Sequence, residues 1–332
     1  MSREHRRRSG YWRQYHLAHT LELDALVGGI VSLVKERGPP CKIRRTRRGR
    51  RAVHSPEKLV AACLLTVALG LTFRDMQGLL PKLGLPWGKE PYPDHSTIHR
   101  AYQALPQEYL ESMLERSAEL CVREAGWTKG LLACDSSGVE TDRYEEVVRP
   151  SKRRRSFETV RRLLYLKYHI VAILDHLVVL RAMVTGYRTH DSPTLRRMLE
   201  GFPSLMPGSV FDADTGFDAE ANFELLYGLQ MQPNIKQRGP LGEGKKKAHK
   251  KLRHRMRAAE EFDIGLYHYR GMVESVFGAE ETDGHRLRTR FRKEKNRERW
   301  GPIMAIGWNL KVLNRLRCGK SLGMEVKPLI RN

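Results

Sequence analysis

No stretch of this chain is long and apolar enough to cross a bilayer. The most apolar region, residues 163–185, is broken by Lys167, His169, Asp175, His176 and Arg181, whereas a membrane helix needs about 20 nearly uncharged residues. It reads better as two strands around a turn. A basic amphipathic helix with an aromatic apolar face is also missing, which argues against an acidic lipid surface as partner. The N-terminus, Met1-Ser2-Arg3-Glu4-His5-Arg6-Arg7-Arg8, is basic but leads into no apolar run, so a signal peptide is not expected. Cysteine is scarce and odd in number: Cys41, Cys63, Cys121, Cys134 and Cys318 are scattered, with no C-x-x-C pair. That excludes a zinc ribbon and a disulfide framework and points to thiols in a reducing cytoplasm. Acids are outnumbered, 38 Asp plus Glu against 60 Lys plus Arg, giving a net charge of +22. A polyanionic partner follows from that excess. There is no internal repeat, and the 332 residues fit two ordinary domains.

The first part, residues 1–126, reads as helical. Residues 1–10 look like a basic tail. Residues 19–36 carry apolar side chains at helical spacing and stop at Gly38-Pro39-Pro40. Lys42 to Arg51 is a charge run expected as a loop or arm. Ser55-Pro56-Glu57 is a helix start: cap, proline at the first position, acid in the first turn. Thr72-Phe73-Arg74-Asp75 caps a second helix, and Asp94-His95-Ser96-Thr97 opens a third that contains Arg100. This pattern fits a helix-turn-helix-like DNA reader, with Arg74 and Arg100 as contact candidates. A plain helical bundle fits it equally well. Residues 106–125 form one more amphipathic helix, and Gly126 is its C-cap and the domain boundary.

Residues 127–315 change character. Strands are predicted at 130–135, 164–174, 177–185, 208–214 and 232–237, and helices from Asp191, from Asp218 to Leu229, and over 263–279. The order is three strands, helix, strand, helix, strand, helix. That is a mixed α/β sheet with helices on its faces. Residues 316–332 are left as a tail.

Three acids stand out. Asp135 ends the apolar run Leu131-Leu132-Ala133-Cys134, and Asp214 ends Val210-Phe211-Asp212-Ala213. Glu274 lies in the predicted last helix. Two strand-end aspartates and a helical glutamate can meet at one sheet edge as hard oxygen ligands for Mg²⁺ or Mn²⁺. On so basic a chain, that chemistry points to metal-assisted phosphoryl transfer on nucleic acid. Each has a plainer reading. Asp135 alone fits a turn cap, and Glu274 an i,i+4 pair with Arg270. Asp212 shares a face with Asp214 by strand alternation and is an alternative ligand. His190-Asp191 fits a helix start. The runs Lys245 to Arg257 and Arg286 to Lys293 are too dense for a merely solvated face and read as a phosphate track, with Lys246, Lys250, Arg253 and Arg288 as contacts.

Several motifs together resemble a known family. Thr72-Phe73-Arg74-Asp75, Pro93-Asp94-His95-Ser96-Thr97, Ala133-Cys134-Asp135-Ser136-Ser137, His190-Asp191-Ser192, Ala213-Asp214-Thr215-Gly216-Phe217-Asp218, Tyr267-x2-Arg270-x3-Glu274 and Trp308-Asn309-Leu310 occur in this order over roughly residues 57–315. The chain is similar to DDE transposases of bacterial and archaeal insertion sequences. The resemblance implies a ribonuclease H-like domain, in which the first and fourth strands are neighbours, behind a helical DNA-binding region. It implies Asp135, Asp214 and Glu274 as catalytic residues and as ligands of two Mg²⁺ or Mn²⁺ ions, about 3.5–4 Å apart in such sites. Tyr267 and Arg270 would touch DNA beside them, and motif register favours Asp214 over Asp212. The expected partners are double-stranded DNA, as terminal inverted repeats and target, and a second copy of the chain in a cytoplasmic, nucleoid-associated dimer. A nuclease without strand transfer and a non-catalytic DNA-binding derivative are the alternatives. The family often has a lysine seven residues after the glutamate, where this chain has Glu281; Arg286 or Arg288 could replace it. Residues 238–262 hold no tryptophan, so a hairpin intermediate is not expected.

Overall fold

The computed structural model describes residues 3–41, 43, 53–87, 91–150, 157–200, 206–238, 252–281 and 287–323. The helical part begins with α1 (Arg3–Thr20) and α2 (Glu22–Arg37). The expected N-terminal tail is thus helix from Arg3. Its far end docks on the last helix: Gln14 Nε2 donates to the Arg315 carbonyl at 2.8 Å, and Asn314 Nδ2 to the Ala18 carbonyl at 2.7 Å. Basic composition hid these long-range bonds. In α3 (Pro56–Ala68) Ser55 caps the Lys58 N–H at 3.1 Å, and residues Val60 to Leu65 are all fully buried. A helix apolar on every side belongs at the centre, and α3 lies there. Thr72 and Asp75 form a reciprocal capping box on α4 (Phe73–Leu79), and Asp94 caps α5 (His95–Ala104). Residues 80–94 separate those two helices and include a 3₁₀ turn, Leu80–Lys82. That link is far longer than the three or four residues of a tight helix-turn-helix, whereas α3 and α4 are joined by only four, residues 69–72. α6 (Gln107–Ala125) ends at Gly126, whose φ of +72° is the left-handed cap glycine tolerates.

The sheet follows. Strands β1 (Leu131–Pro150), β2 (Phe157–Ile173) and β3 (Val178–Gly186) form an antiparallel meander. After α7 (Asp191–Leu199), β4 (Val210–Ala213) returns parallel to β1; α8 (Glu220–Gly228) leads to β5 (Gln232–Ile235), parallel to β4. The spatial order is β3-β2-β1-β4-β5, and a short β6 (Arg288–Thr289) pairs with β1 beyond β4. This is the ribonuclease H-like mixed sheet expected, with the first and fourth strands side by side. After α9 (Arg253–Glu260) comes a departure. The single helix expected over 263–279 is α10 (Ile264–Tyr267), a 3₁₀ stretch His268–Val273 and α11 (Glu274–Glu280). Asp263 caps α10, and Gly271 weakens α-helix where the tighter winding occurs. The last element, α12 (Glu294–Ser321), packs against β3, α6, α3 and α2 at once. Every residue from Trp300 to Asn314 is buried. One continuous apolar core therefore joins the helical region to the sheet. Among the described residues no single helix is long and apolar enough to cross a membrane.

Candidate active site

Strand register brings two of the three acids together. Ala133 of β1 stands opposite Asp212 of β4. Two residues further along both parallel strands come Asp135 and Asp214, level with each other and on one face. β4 ends at Ala213, so Asp214 lies at the sheet edge, not inside the ladder. There it caps a 3₁₀ turn, Thr215–Phe217, through a 2.7 Å bond from the Gly216 N–H. A Cβ on Gly216 would come within 2.8 Å of Asp214 Oδ1, so a side chain there would have to displace the Asp214 carboxylate. Asp135 Oδ1 accepts from the Ser136 N–H at 2.8 Å.

The third acid arrives through the 3₁₀ stretch. Along the edge of β1, β4 covers residues 131–133 and β6 covers 140–141. The His268–Val273 turn packs on β1 and carries Arg270 to the carboxylates. The Arg270 guanidinium stands 3.5 Å from Asp135 Oδ2 and 3.9 Å from Glu274 Oε1. Asp135 is largely enclosed, its side chain 18% exposed, while Glu274 is 65% exposed. Burial, foremost, raises the Asp135 pKa; the Ser136 N–H and Arg270 oppose that, and the charges of Asp214 and Glu274 add to it. The three acids thus share one electrostatic field.

This donor set fits a hard divalent cation: carboxylate oxygens only, two of them fixed at strand ends. Among the described residues, however, no three Asp, Glu, His or Cys side chains are already gathered tightly enough to hold an ion. The Arg270 guanidinium lies between two of the three and is the cation that neutralises them in this structure. Asp212 is differently placed. It is fully buried, takes a 2.7 Å bond from Asn234 Nδ2, and its pKa is raised to about 6 by burial. It belongs to the core behind the edge where Asp214 sits.

The opposite face of β1 carries a network that sequence reading passed over. Asp191, read only as a helix start, accepts from Lys167 Nζ at 3.0 Å and Ser136 Oγ at 3.3 Å. Its Oδ1 also lies 3.6 Å from Nδ1 of His169, which is 1% exposed and whose pKa burial lowers to about 4. The alternation of Lys167 and His169 along β2, opposite Ser136, is the only trace of this in the sequence.

The DNA-contact candidates fall in separate places. Tyr267 ends α10, its ring centre 5.9 Å from the Arg270 guanidinium and 6.0 Å from Lys236 Nζ. Arg253 is exposed at the start of α9. Arg288 is exposed on β6 and pairs with Asp142. Arg74 and Arg100 are exposed on α4 and α5. Arg74 and Arg288 line one cleft of 1080 Å³, while Arg100 does not. Lys246, Lys250 and Arg286 lie outside the described residues.

With this geometry in view, comparisons with known proteins are informative. The profile of the family described as "Transposase DDE domain" matches residues 126–310, more than half of the chain. No curated protein matches. Among solved structures, a piggyBac transposase synaptic complex with hairpin DNA is 10% identical at a TM-score of 0.35, covering 93% of this chain and 77% of that one. A Mos1 transposase paired-end complex with the left transposon end is 11% identical at a TM-score of 0.23, covering 70% of this chain and 81% of that one. These two likenesses are too loose to bear on mechanism.

Proposed function

The chain belongs to the family of transposases with a DDE domain, and from that premise we propose that it cleaves insertion-sequence ends and joins them to target DNA. The observation that carries this reading is the level placement of Asp135 and Asp214 on neighbouring strands, with Glu274 linked to Asp135 through Arg270. The Tyr267-x2-Arg270-x3-Glu274 spacing supports the insertion-sequence type. Asp135, Asp214 and Glu274 would hold Mg²⁺ or Mn²⁺, two ions by this reading, which when bound supply Lewis acidity and a nucleophile at neutral pH. The chain's own groups do the rest. Arg270 bridges Asp135 and Glu274 and offsets their charge, and its planar fork suits a phosphate as well as a carboxylate. Tyr267 beside it adds a hydroxyl and a flat face against the strand. Hydrolysis breaks a P–O bond at the transposon end and frees a 3′-hydroxyl. That hydroxyl then attacks a target phosphate and displaces a target 3′-oxygen, so no bond to the protein is needed. Double-stranded DNA is the partner, supported by the net charge of +22. Two ends handled together call for a dimer.

The test uses a labelled linear fragment carrying the terminal inverted repeats, with Mg²⁺. Wild type is compared with Glu274→Gln, which keeps shape and loses charge. Nicking and joining by wild type are expected, with at least ~100-fold loss in the variant, since even groups that only support metal ligands are worth 10–100-fold. Cutting without joining would make the protein a nuclease. Tight binding with no chemistry in either protein would leave a DNA-binding derivative.

A further inference from the structure

The 1080 Å³ cleft lies between α4 and α5 on one side and the segment from β6 into α12 on the other. Its lining contains Arg74, Arg290, Arg292 and Lys293, and no acidic residue among the described residues. Leu287 and Thr289 are buried while Arg288, Arg290 and Arg292 are exposed, so strand-like alternation turns these three arginines outward together. The lining also includes aromatic rings. Phe291 stacks on buried Tyr102 with centroids 4.5 Å apart and planes 10° apart, and Phe73 stands 6.0 Å from Phe291. Tyr102 is itself held by a 2.6 Å bond from its hydroxyl to the Asn296 carbonyl. The aromatic wall is therefore fixed, and Phe73 and Phe291 are only partly buried.

We propose that this cleft seats unpaired DNA, with phosphates on the arginine and lysine side chains and a base against Phe291 and Phe73. Size and chemistry decide against a duplex. Pockets of about 300–1,000 Å³ enclose drug-sized molecules, the class of a nucleotide or a short run of them. A duplex offers only its phosphate rails, because its bases are hidden in the stack, and it would leave the aromatic wall unused. Unpaired strands are bound elsewhere by this same pairing of a basic groove with stacking rings. β6 pairs with Glu140 and Thr141, five residues beyond Asp135 on β1. At about 3.3 Å per residue that is roughly 17 Å, or about five base steps of duplex at 3.4 Å. Unpaired nucleotides near a cut made at the Asp135 edge fall within reach. The inference rests on the transposase reading for the identity of the polymer.

Binding of the full chain is measured by fluorescence anisotropy on labelled oligo(dT) and on a duplex of equal length, at one salt concentration. Phe291→Leu is expected to weaken oligo(dT) binding about 5–150-fold, the worth of one base stack, and to change duplex binding less than about twofold. Arg292→Glu, at an exposed site, is expected to weaken oligo(dT) binding more than Arg123→Glu, which is exposed on α6 outside the cleft. Melting temperatures confirm that the variants fold. The proposal is overturned if Phe291→Leu weakens both ligands equally or neither. It is also overturned if polyglutamate displaces oligo(dT) as well as unlabelled oligo(dT) does, since the site then reads charge alone. The binding assay does not need cleavage. Wild type that cuts transposon ends while Phe291→Leu keeps full oligo(dT) affinity sinks this inference and spares the function. Wild type that never cuts, yet loses oligo(dT) through Phe291→Leu, does the reverse.

Discussion

Arg270 touches carboxylates from two elements, and its removal has a consequence opposite to that of removing Glu274. Arg270→Met would leave Asp135 and Glu274 to repel each other across the edge, so the melting temperature should fall in the presence of chelator. Mg²⁺ should then restore it, and raise it more than in wild type, because any cation that binds only the folded chain stabilises it by mass action. Equal Mg²⁺ shifts in the two proteins would show that the acids do not share a cation. The three acids themselves were legible, since each ends an apolar run or sits at a fixed motif spacing. That Arg270 reaches Asp135 as well as Glu274 was not, because the contact depends on a 3₁₀ turn packing against a strand distant in sequence. His169 makes a second residue-scale prediction. Its folded pKa is lowered to about 4 from 6.5 by burial, so the unfolded chain binds the extra proton between those values. Stability is therefore full above pH 6.5 and declines as pH falls toward 4, by an amount on the order of 1–3 kcal/mol. His169→Gln should flatten that limb of a melting-temperature profile recorded from pH 7.5 to 4.5. An unchanged slope would place the acid sensitivity elsewhere.

Among the elements, α12 carries the most. Its Asn309 side chain is fully buried and treats the edge of β3 as a neighbouring strand would: Oδ1 accepts from the Val179 N–H at 2.8 Å, and Nδ2 donates to the Val179 carbonyl at 2.7 Å and to Ser117 Oγ at 3.0 Å. This satisfies a buried edge-strand residue that has no further strand beside it. Asn309→Leu keeps the volume and leaves both Val179 groups without those bonds, each costing about 1–3 kcal/mol. A loss of roughly 2–5 kcal/mol in urea unfolding is expected; a loss below about 0.5 kcal/mol would mean that water takes over the two bonds. Most element starts were legible from caps that the structure confirms, Ser55, Thr72 and Asp94 among them. Others misled for physical reasons. The basic N-terminus runs straight into α1, whose far end hydrogen-bonds to α12. The stretch 263–279 is interrupted by the 3₁₀ turn that packs on β1. The link from α4 to α5 exceeds a tight turn, so those two capped starts do not form one compact helix pair.

At the scale of the whole molecule, a mixed sheet flanked by helices was legible from the alternation of strand and helix patterns, while the neighbourhood of β1 and β4 was expected only through the family resemblance. The cleft between the halves was not, because its walls come from α4, α5, β6 and α12, and no local pattern announces that they meet. The charge excess was plain from the start, but its use depends on placement. A chain of net charge +22 that neutralises Z phosphates should lose affinity with log[salt] at a slope of about −0.9Z. For a contact area of six to ten phosphates, affinity for inverted-repeat duplex falls roughly 10³–10⁵-fold between 50 and 200 mM salt. Arg253 stands exposed at the N-terminus of α9. Arg253→Gln should therefore reduce the magnitude of the slope by about one and weaken all duplex sequences alike, as loss of a single phosphate contact does. A variant that keeps the wild-type slope but loses preference for the inverted repeat would instead put Arg253 on a base edge, and α9 rather than the helical N-terminal region would then read the sequence.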